Sequence, residues 1–404
     1  MGMIQSTRRA PLSWALIMVA ASLPTVVHGQ EPEPTTSAER GPADANAFRA
    51  MLLTSYPGAT PDDIARTERE GSGITYAIEA GLQLFAQYRL TWTEAGHGPA
   101  WFHEFDLSRA WGFISMRVDD VIGRILVEGT RAGGEGALLG VGGDSVVLRF
   151  REAWVGYRLL DLFELRAGLV PTLTAPLLTR LWGMRAVSQI GMRELELMQP
   201  ADTGVTLRFD IPEGFGSLGA AYYNGEGYRG RELNRGKTLE LTAVIHPLAF
   251  ERALLPLQAT LAYQMGSTGT GSARADRLVG GVAWDDPRWG IGIEGMWVLG
   301  IEDRGDREGV LIDGWGRVEP IDEFPLLVAA RFSHYVMDLQ AATTTATLFT
   351  LAVGYRIAAP LRMFAAVDRR FADAPFESAV PGFERWNVRL ILEGNLMGRF
   401  EGMF

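Results

Sequence analysis

Residues 74–92 alternate apolar and mostly polar side chains over nineteen positions. Ile74, Tyr76, Ile78, Ala80, Leu82, Leu84, Ala86, Tyr88, Leu90 and Trp92 share one parity, and Thr75, Glu79, Gln83, Gln87, Arg89 and Thr91 dominate the other. Side chains two apart share one face of a strand, so the segment offers one oily and one wet surface. At about 3.3 Å per residue it far exceeds the usual soluble strand of about 5 to 6 residues. That length suits a tilted strand that crosses a bilayer and continues past it.

The signature recurs in sixteen segments: 74–92, 102–118, 122–131, 146–158, 162–169, 203–210, 216–224, 237–246, 256–266, 277–285, 290–299, 309–318, 325–336, 345–357, 360–371 and 386–404. Leu239, Leu241, Ala243 and Ile245 oppose Glu240 and Thr242; Leu257, Ala259, Leu261, Tyr263 and Met265 oppose Gln258, Thr260 and Gln264. Segments 146–158 and 309–318 keep no single register. The connections carry a second signal. Those after even-numbered strands are short, as at 119–121, 159–161 and 358–359; most of those after odd-numbered strands are longer and richer in glycine and charge, as at 132–145, 225–236 and 372–385. Short turns on one side and long loops on the other predict an up-and-down barrel with both termini on the short-turn side.

Alternation alone leaves open whether the apolar row points in, as in a small soluble barrel, or out, as in a membrane barrel. The other row decides it, since Arg89, Arg166, Arg208, Arg331, Arg356 and Arg370 fall there with Glu79, Glu128, Glu164, Glu240, Asp368 and Arg389. A sixteen-stranded barrel is wide enough to hold water, in which such charges carry little desolvation cost. The expected fold is therefore all-β: a transmembrane antiparallel up-and-down barrel of about sixteen strands over 73–404, with Arg89, Arg166, Arg208, Arg331, Arg356 and Arg370 lining the lumen. Trp92, Tyr222, Tyr263, Trp284, Tyr355 and Phe400 sit near strand ends on the apolar row, where aromatic rings favour the membrane interface.

The flanks agree with this reading. Arg8 and Arg9 precede an apolar stretch over 12–27, and Val27-His28-Gly29 precedes a plausible cleavage site, so residues 1–29 read as a secretory signal peptide. Residues 30–72 open on a proline-bearing polar run and read as a periplasmic leader. Removing the signal takes the formal charge from -10 to -12, which argues against nucleic acid as a partner. Cysteine is absent, so no disulfide framework or thiolate metal site is expected. The last strand alternates to its end at Phe404. It resembles the signal by which bacterial outer-membrane proteins are handed to the barrel-assembly machinery, from which Gly402 departs where a bulky apolar residue is usual.

The longest connection, 170–202, spans 33 residues and is third among the long loops. It carries Arg180, Arg185 and Arg193 with Glu194, Glu196 and Asp202, and apolar runs Pro176-Leu177-Leu178 and Leu181-Trp182 that need protein to pack on. Four stretches resemble the porin O and porin P family of phosphate-selective porins: Phe105-Asp106-Leu107-Ser108-Arg109-Ala110, Leu148-Arg149-Phe150-Arg151-Glu152-Ala153-Trp154-Val155, Leu165-Arg166-Ala167-Gly168-Leu169-Val170-Pro171 and Asp202-Thr203-Gly204-Val205. The resemblance covers about 100 residues. It implies a sixteen-stranded channel in the bacterial outer membrane, a homotrimer, with an arginine-lined constriction; the apolar residues of the loop suit a fold into the lumen, with a place on the rim or at a subunit contact as the alternative. On that basis Arg180, Arg185, Arg193, Glu194 and Glu196 are the expected solute-binding residues, for small anionic or neutral solutes. Phosphate channels of that family also use a basket of lysines, whereas this chain has one lysine, Lys237.

Enzyme chemistry finds little support. His97, His103, His246 and His334 form no zincin pattern, no nucleophile elbow is present, and Gly133-Gly134 and 140–143 follow no phosphate-loop pattern. No cofactor or metal is expected. The leading expectation is a porin, a passive diffusion channel with mild anion preference. A non-conducting outer-membrane barrel with a structural, adhesive or receptor role is the second reading, and a secreted soluble β-protein the third.

Overall fold

A computed structural model describes residues 75–93, 100–131, 146–229, 236–268, 273–301, 304–319, 325–340, 344–379 and 383–403. The expected signal peptide (1–29), the expected leader (30–72) and Phe404 lie outside them. Sixteen strands form one closed barrel: β1 (Thr75–Thr93), β2 (Ala100–Val118), β3 (Val121–Arg131), β4 (Val146–Leu159), β5 (Phe163–Pro171), β6 (Ala201–Ile211), β7 (Gly216–Tyr223), β8 (Thr238–Ile245), β9 (Leu257–Met265), β12 (Asp276–Asp285), β13 (Trp289–Ile301), β14 (Arg304–Val318), β15 (Leu326–Val336), β16 (Thr345–Ala358), β17 (Leu361–Ala372) and β18 (Arg385–Met403). A short hairpin of β10 (Ser267–Thr268) and β11 (Ala273–Arg274) stands apart as its own two-stranded sheet.

Each barrel strand pairs antiparallel with its sequence neighbours, and β1 closes on β18 from Thr75 opposite Met403 to Trp92 opposite Trp386. Closure leaves no edge whose peptide groups lack partners, which hydrocarbon would penalise by several kcal/mol each. All sixteen segments marked by alternation form strands, with boundaries shifted by a few residues. No helix among the described residues is long and apolar enough to cross a membrane.

The two faces separate as the charges require. Leu239, Leu241 and Leu390 point outward, the last 51 % exposed, whereas Glu240 between the first two is 1 % exposed on the inner row. Exposed Ile, Leu, Val and Phe continue around the barrel, from Leu82 and Ile114 to Ile293, Val353 and Leu392. Soluble surfaces rarely carry contiguous apolar patches beyond a few hundred Å², so this belt is a lipid-facing surface. Stacked indoles mark two sites on the belt: Trp92 on Trp101 at 5.4 Å and Trp284 on Trp289 at 5.5 Å.

Bulges explain one lost register. Leu126 pairs with Glu152 and Val127 with Phe150, so Arg151 is an extra residue in β4. Leu148 and Phe150 face outward before it, and Val155, Tyr157 and Leu159 after it. Ser108 does the same in β2, where Phe85 pairs with Arg109 and Ala86 with Leu107, and the Ser108 hydroxyl donates to the Phe85 carbonyl at 3.1 Å. The other apparent failure, 309–318, is corrected by the structure: β14 keeps one register there, with Leu311, Asp313, Trp315 and Arg317 all buried on the inner row. The inner row includes apolar residues because protein, not water, lies against them.

Leu241→Arg is expected to destabilise the barrel by about 2–4 kcal/mol, the cost of a guanidinium on the lipid face near the bilayer midplane. Equilibrium unfolding from lipid vesicles measures it. A penalty no larger than that of Leu241→Phe contradicts the outward assignment.

Candidate functional site

The chain between β5 and β6 begins at a strained lead-in. Gly168 has φ +126, and a Cβ there would lie 2.5 Å from the Ala153 carbonyl oxygen, so this bend requires glycine. Helix α1 (Thr174–Trp182) follows. Its first amides are capped by the barrel wall, not by a local side chain: Leu173 N–H and Thr174 N–H donate to the Glu240 carboxylate at 3.0 and 2.9 Å. A buried carboxylate at a helix N-terminus satisfies orphan donors and complements the helix dipole. Gly183, at φ +67, ends the helix with its N–H on the Thr179 carbonyl, and Arg317 of β14 donates to the Leu181 carbonyl.

The apolar runs of the loop find their cover on the inner row. Trp182 is fully buried, edge-to-face with Trp315 at 6.1 Å, within a cluster that includes Leu178, Leu181, Val187, Ile190, Leu311 and Phe85. A short helix α2 (Gly191–Glu194) is held by Asp313, whose Oδ2 accepts the Gly191 N–H at 2.7 Å and whose Oδ1 accepts Arg331 Nε at 2.8 Å. Arg389 donates to the Val187 carbonyl, Arg277 to the Leu197 carbonyl at 3.1 Å, and Glu194 pairs with Arg370. Burying one tryptophan contributes on the order of 4–6 kcal/mol before entropy, against about 0–1 kcal/mol for a partly exposed ion pair. Apolar packing therefore seats the loop, and the polar ties set its orientation.

One side of the loop is left open. Residues Arg185 to Gln189 and Glu194 face walls from β1–β3 and β15–β18 across a cavity of about 260 Å³, lined by eight arginines and three carboxylates. Strand register builds the polar wall, bringing Arg331, Thr350, Asp368, Asn387 and Thr91 into one cross-strand row. Burial alone would push the Glu194 carboxyl up, but Arg370, Arg331, Arg389 and Arg385 outweigh it and hold the group below the ordinary carboxylate value. A second cluster adjoins it. The Glu128 carboxylate, fully buried, takes Arg149 at 3.3 Å, Arg109 and Arg151 at 3.5 Å, the Tyr228 hydroxyl at 2.6 Å and the Trp111 indole N–H at 3.1 Å.

The residues singled out from sequence are divided by this geometry. Arg185, Glu194, Arg89, Arg331 and Arg370 line the cavity. Arg193 turns back to the Met198 carbonyl and to Gln199 at 3.3 Å, and Glu196 faces Arg229 at 3.7 Å. Arg180 sits half-buried on α1, Arg166 pairs with Glu164, Arg208 with Asp210 at 2.7 Å, and Arg356 lies near the end of β16; none of these four lines the cavity. Arg109, Arg369, Arg385 and Arg389 line it and are not among the residues singled out from sequence as lining or binding groups. Arg389 was readable from the parity of its strand. Arg385 precedes the predicted start of that strand, and Arg109 follows the bulge that shifts parity.

No family model and no curated relative matches the sequence. Solved structures do match. An anion-selective porin from Comamonas acidovorans aligns at 13 % identity and TM-score 0.54, over 79 % of this chain and 100 % of that one. The fold is that of the outer-membrane porins. The trimer form of OmpT, an outer membrane protein of Vibrio cholerae, aligns at 13 % identity and TM-score 0.51 over 80 % and 99 % of the two chains. The outer membrane channel DcaP of Acinetobacter baumannii aligns at 11 % and 0.50 over 82 % and 100 %. At such identities the likeness is one of architecture.

Asp313→Ala strips Arg331 of its buried partner and the Gly191 amide of its acceptor, for an expected loss of about 3–5 kcal/mol. Hydrogen exchange at Gly191 should accelerate strongly in Asp313→Ala and much less in Asp313→Asn, which keeps an acceptor. For Glu194, whose pKa is lower folded than unfolded, the stabilising contribution is full above the ordinary carboxylate value. It is lost only as pH falls through the lowered one. An acid titration of loop exchange in wild type and Glu194→Gln checks this: the acid-dependent step should vanish in the variant.

Proposed function

We propose that this protein is an outer-membrane porin, a passive channel for small hydrophilic solutes with a preference for anions. The observation that carries the reading is the excess of guanidinium over carboxylate around the open side of the third loop, inside a closed barrel whose outer belt is apolar. Fixed positive charge on low-dielectric walls raises the local concentration of anions and repels cations. The loop acts as the constriction that narrows the lumen, and Arg185 and Glu194 are its groups nearest the solute path. Arg180, Arg193 and Glu196 shape or flank the loop. The bacterial outer membrane, with its lipid and its assembly machinery, is the setting that an apolar outer belt and a closed edge-free sheet require. A trimer agrees with the trimer form of the similar OmpT fold.

Planar-bilayer recording tests this. Discrete ohmic steps are expected, with a reversal potential in a salt gradient of the sign set by anion flux, shifted toward zero in the Arg185→Ala/Arg385→Ala double variant. Absence of conductance favours a structural or receptor barrel. Conductance with unaltered selectivity in the double variant removes these arginines from the filter.

A further inference from the structure

The cavity beside the third loop holds donors that nothing in the described protein satisfies. Arg89 Nε, Arg109 Nη1 and Arg385 Nε are buried without a hydrogen-bond acceptor, Ser188 Oγ is buried without a partner, and all four residues line this cavity. Buried guanidinium N–H groups without acceptors are costly, so three of them around one space point to an oxyanion as the missing acceptor. An aromatic patch adjoins these donors, with Phe85 the cross-strand partner of Arg109 and the Trp111 ring 5.8 Å from the Arg109 guanidinium. Phe85, 3 % exposed, lines the cavity and meets the Trp111 indole edge-on at 5.9 Å, and Arg185 lies over that indole with Cζ 4.1 Å from the ring centroid. A guanidinium stacked on an indole is planar and weakly hydrated, a surface on which another flat group stacks.

Size selects among anions. At roughly 30 Å³ per water the cavity of about 260 Å³ equals about nine waters, several times the bulk of one inorganic phosphate. Unsatisfied donors, an aromatic patch beside them and this volume match a small ring bearing a carboxylate. We infer that the cavity is a binding site for aromatic carboxylates, with the carboxylate on Arg89, Arg109 and Arg385 and the ring between Phe85 and Arg185. Ser188 supplies a further hydrogen bond. This inference deepens the porin reading and rests on it only in placing the site along a permeation path.

Calorimetric titration of the detergent-solubilised full chain with benzoate, acetate and inorganic phosphate tests the inference without needing conductance. Benzoate should bind tighter than either other anion by about tenfold or more, the factor that burying part of a ring provides. Arg385→Gln should weaken benzoate and acetate alike. Phe85→Leu, which keeps an apolar side chain on the loop's seat, should weaken benzoate and spare acetate. Equal binding of the three anions, tighter binding of phosphate, or an unchanged benzoate-to-acetate ratio in Phe85→Leu overturns the inference. A chain that binds benzoate but forms no channel sinks the porin reading and leaves this site standing; an anion-selective channel indifferent to benzoate does the reverse.

Discussion

A peptide group left unpaired in hydrocarbon costs several kcal/mol, and the rest of this structure follows from avoiding that cost. Sixteen strands in a membrane must close, and here β1 meets β18 along nearly the whole length of both. Closure fixes circumference, and the pleat then sorts side chains into two populations. Leu241 and Leu390 face lipid, while Glu240 and Arg389 face the interior.

An interior of that width is too large for its own side chains to fill. The third loop packs on the inner row, and side chains of the barrel wall hold its backbone. Glu240 caps α1, Asp313 holds α2, and Arg317 and Arg389 take up loop carbonyls. What remains uncovered is the arginine-rich side, so the packing that covers one part of the inner row leaves positive charge concentrated along the other.

Strand number, face assignment and the short-long alternation of connections were legible because a period of two survives in sequence whatever the tertiary context. Legibility failed where the local rule is broken for a structural reason. Arg151 and Ser108 each add one residue to a strand and reverse its parity, and Leu311 and Trp315 are inward apolar residues because Trp182 packs on that wall. The candidate site was only partly readable. Loop arginines Arg180, Arg185 and Arg193 look equivalent in sequence, yet one lies on α1, one lines the cavity and one turns back on its own loop; that division depends on where α1 ends and on which wall residue meets each carbonyl. Arg385 and Arg109 required the strand register itself.

The absence of native cysteine allows the central claim, that one row faces lipid and its neighbour faces a wet lumen, to be tested directly. Arg89 lines the cavity on the inner row with its side chain 32 % exposed, and Val388, on the neighbouring strand, is 50 % exposed on the outer belt. Single cysteines at these two positions, in chains reconstituted in lipid vesicles, would be treated with a charged water-soluble thiol reagent. Rapid labelling of Arg89→Cys with little labelling of Val388→Cys is the predicted result, and the opposite order would contradict the account.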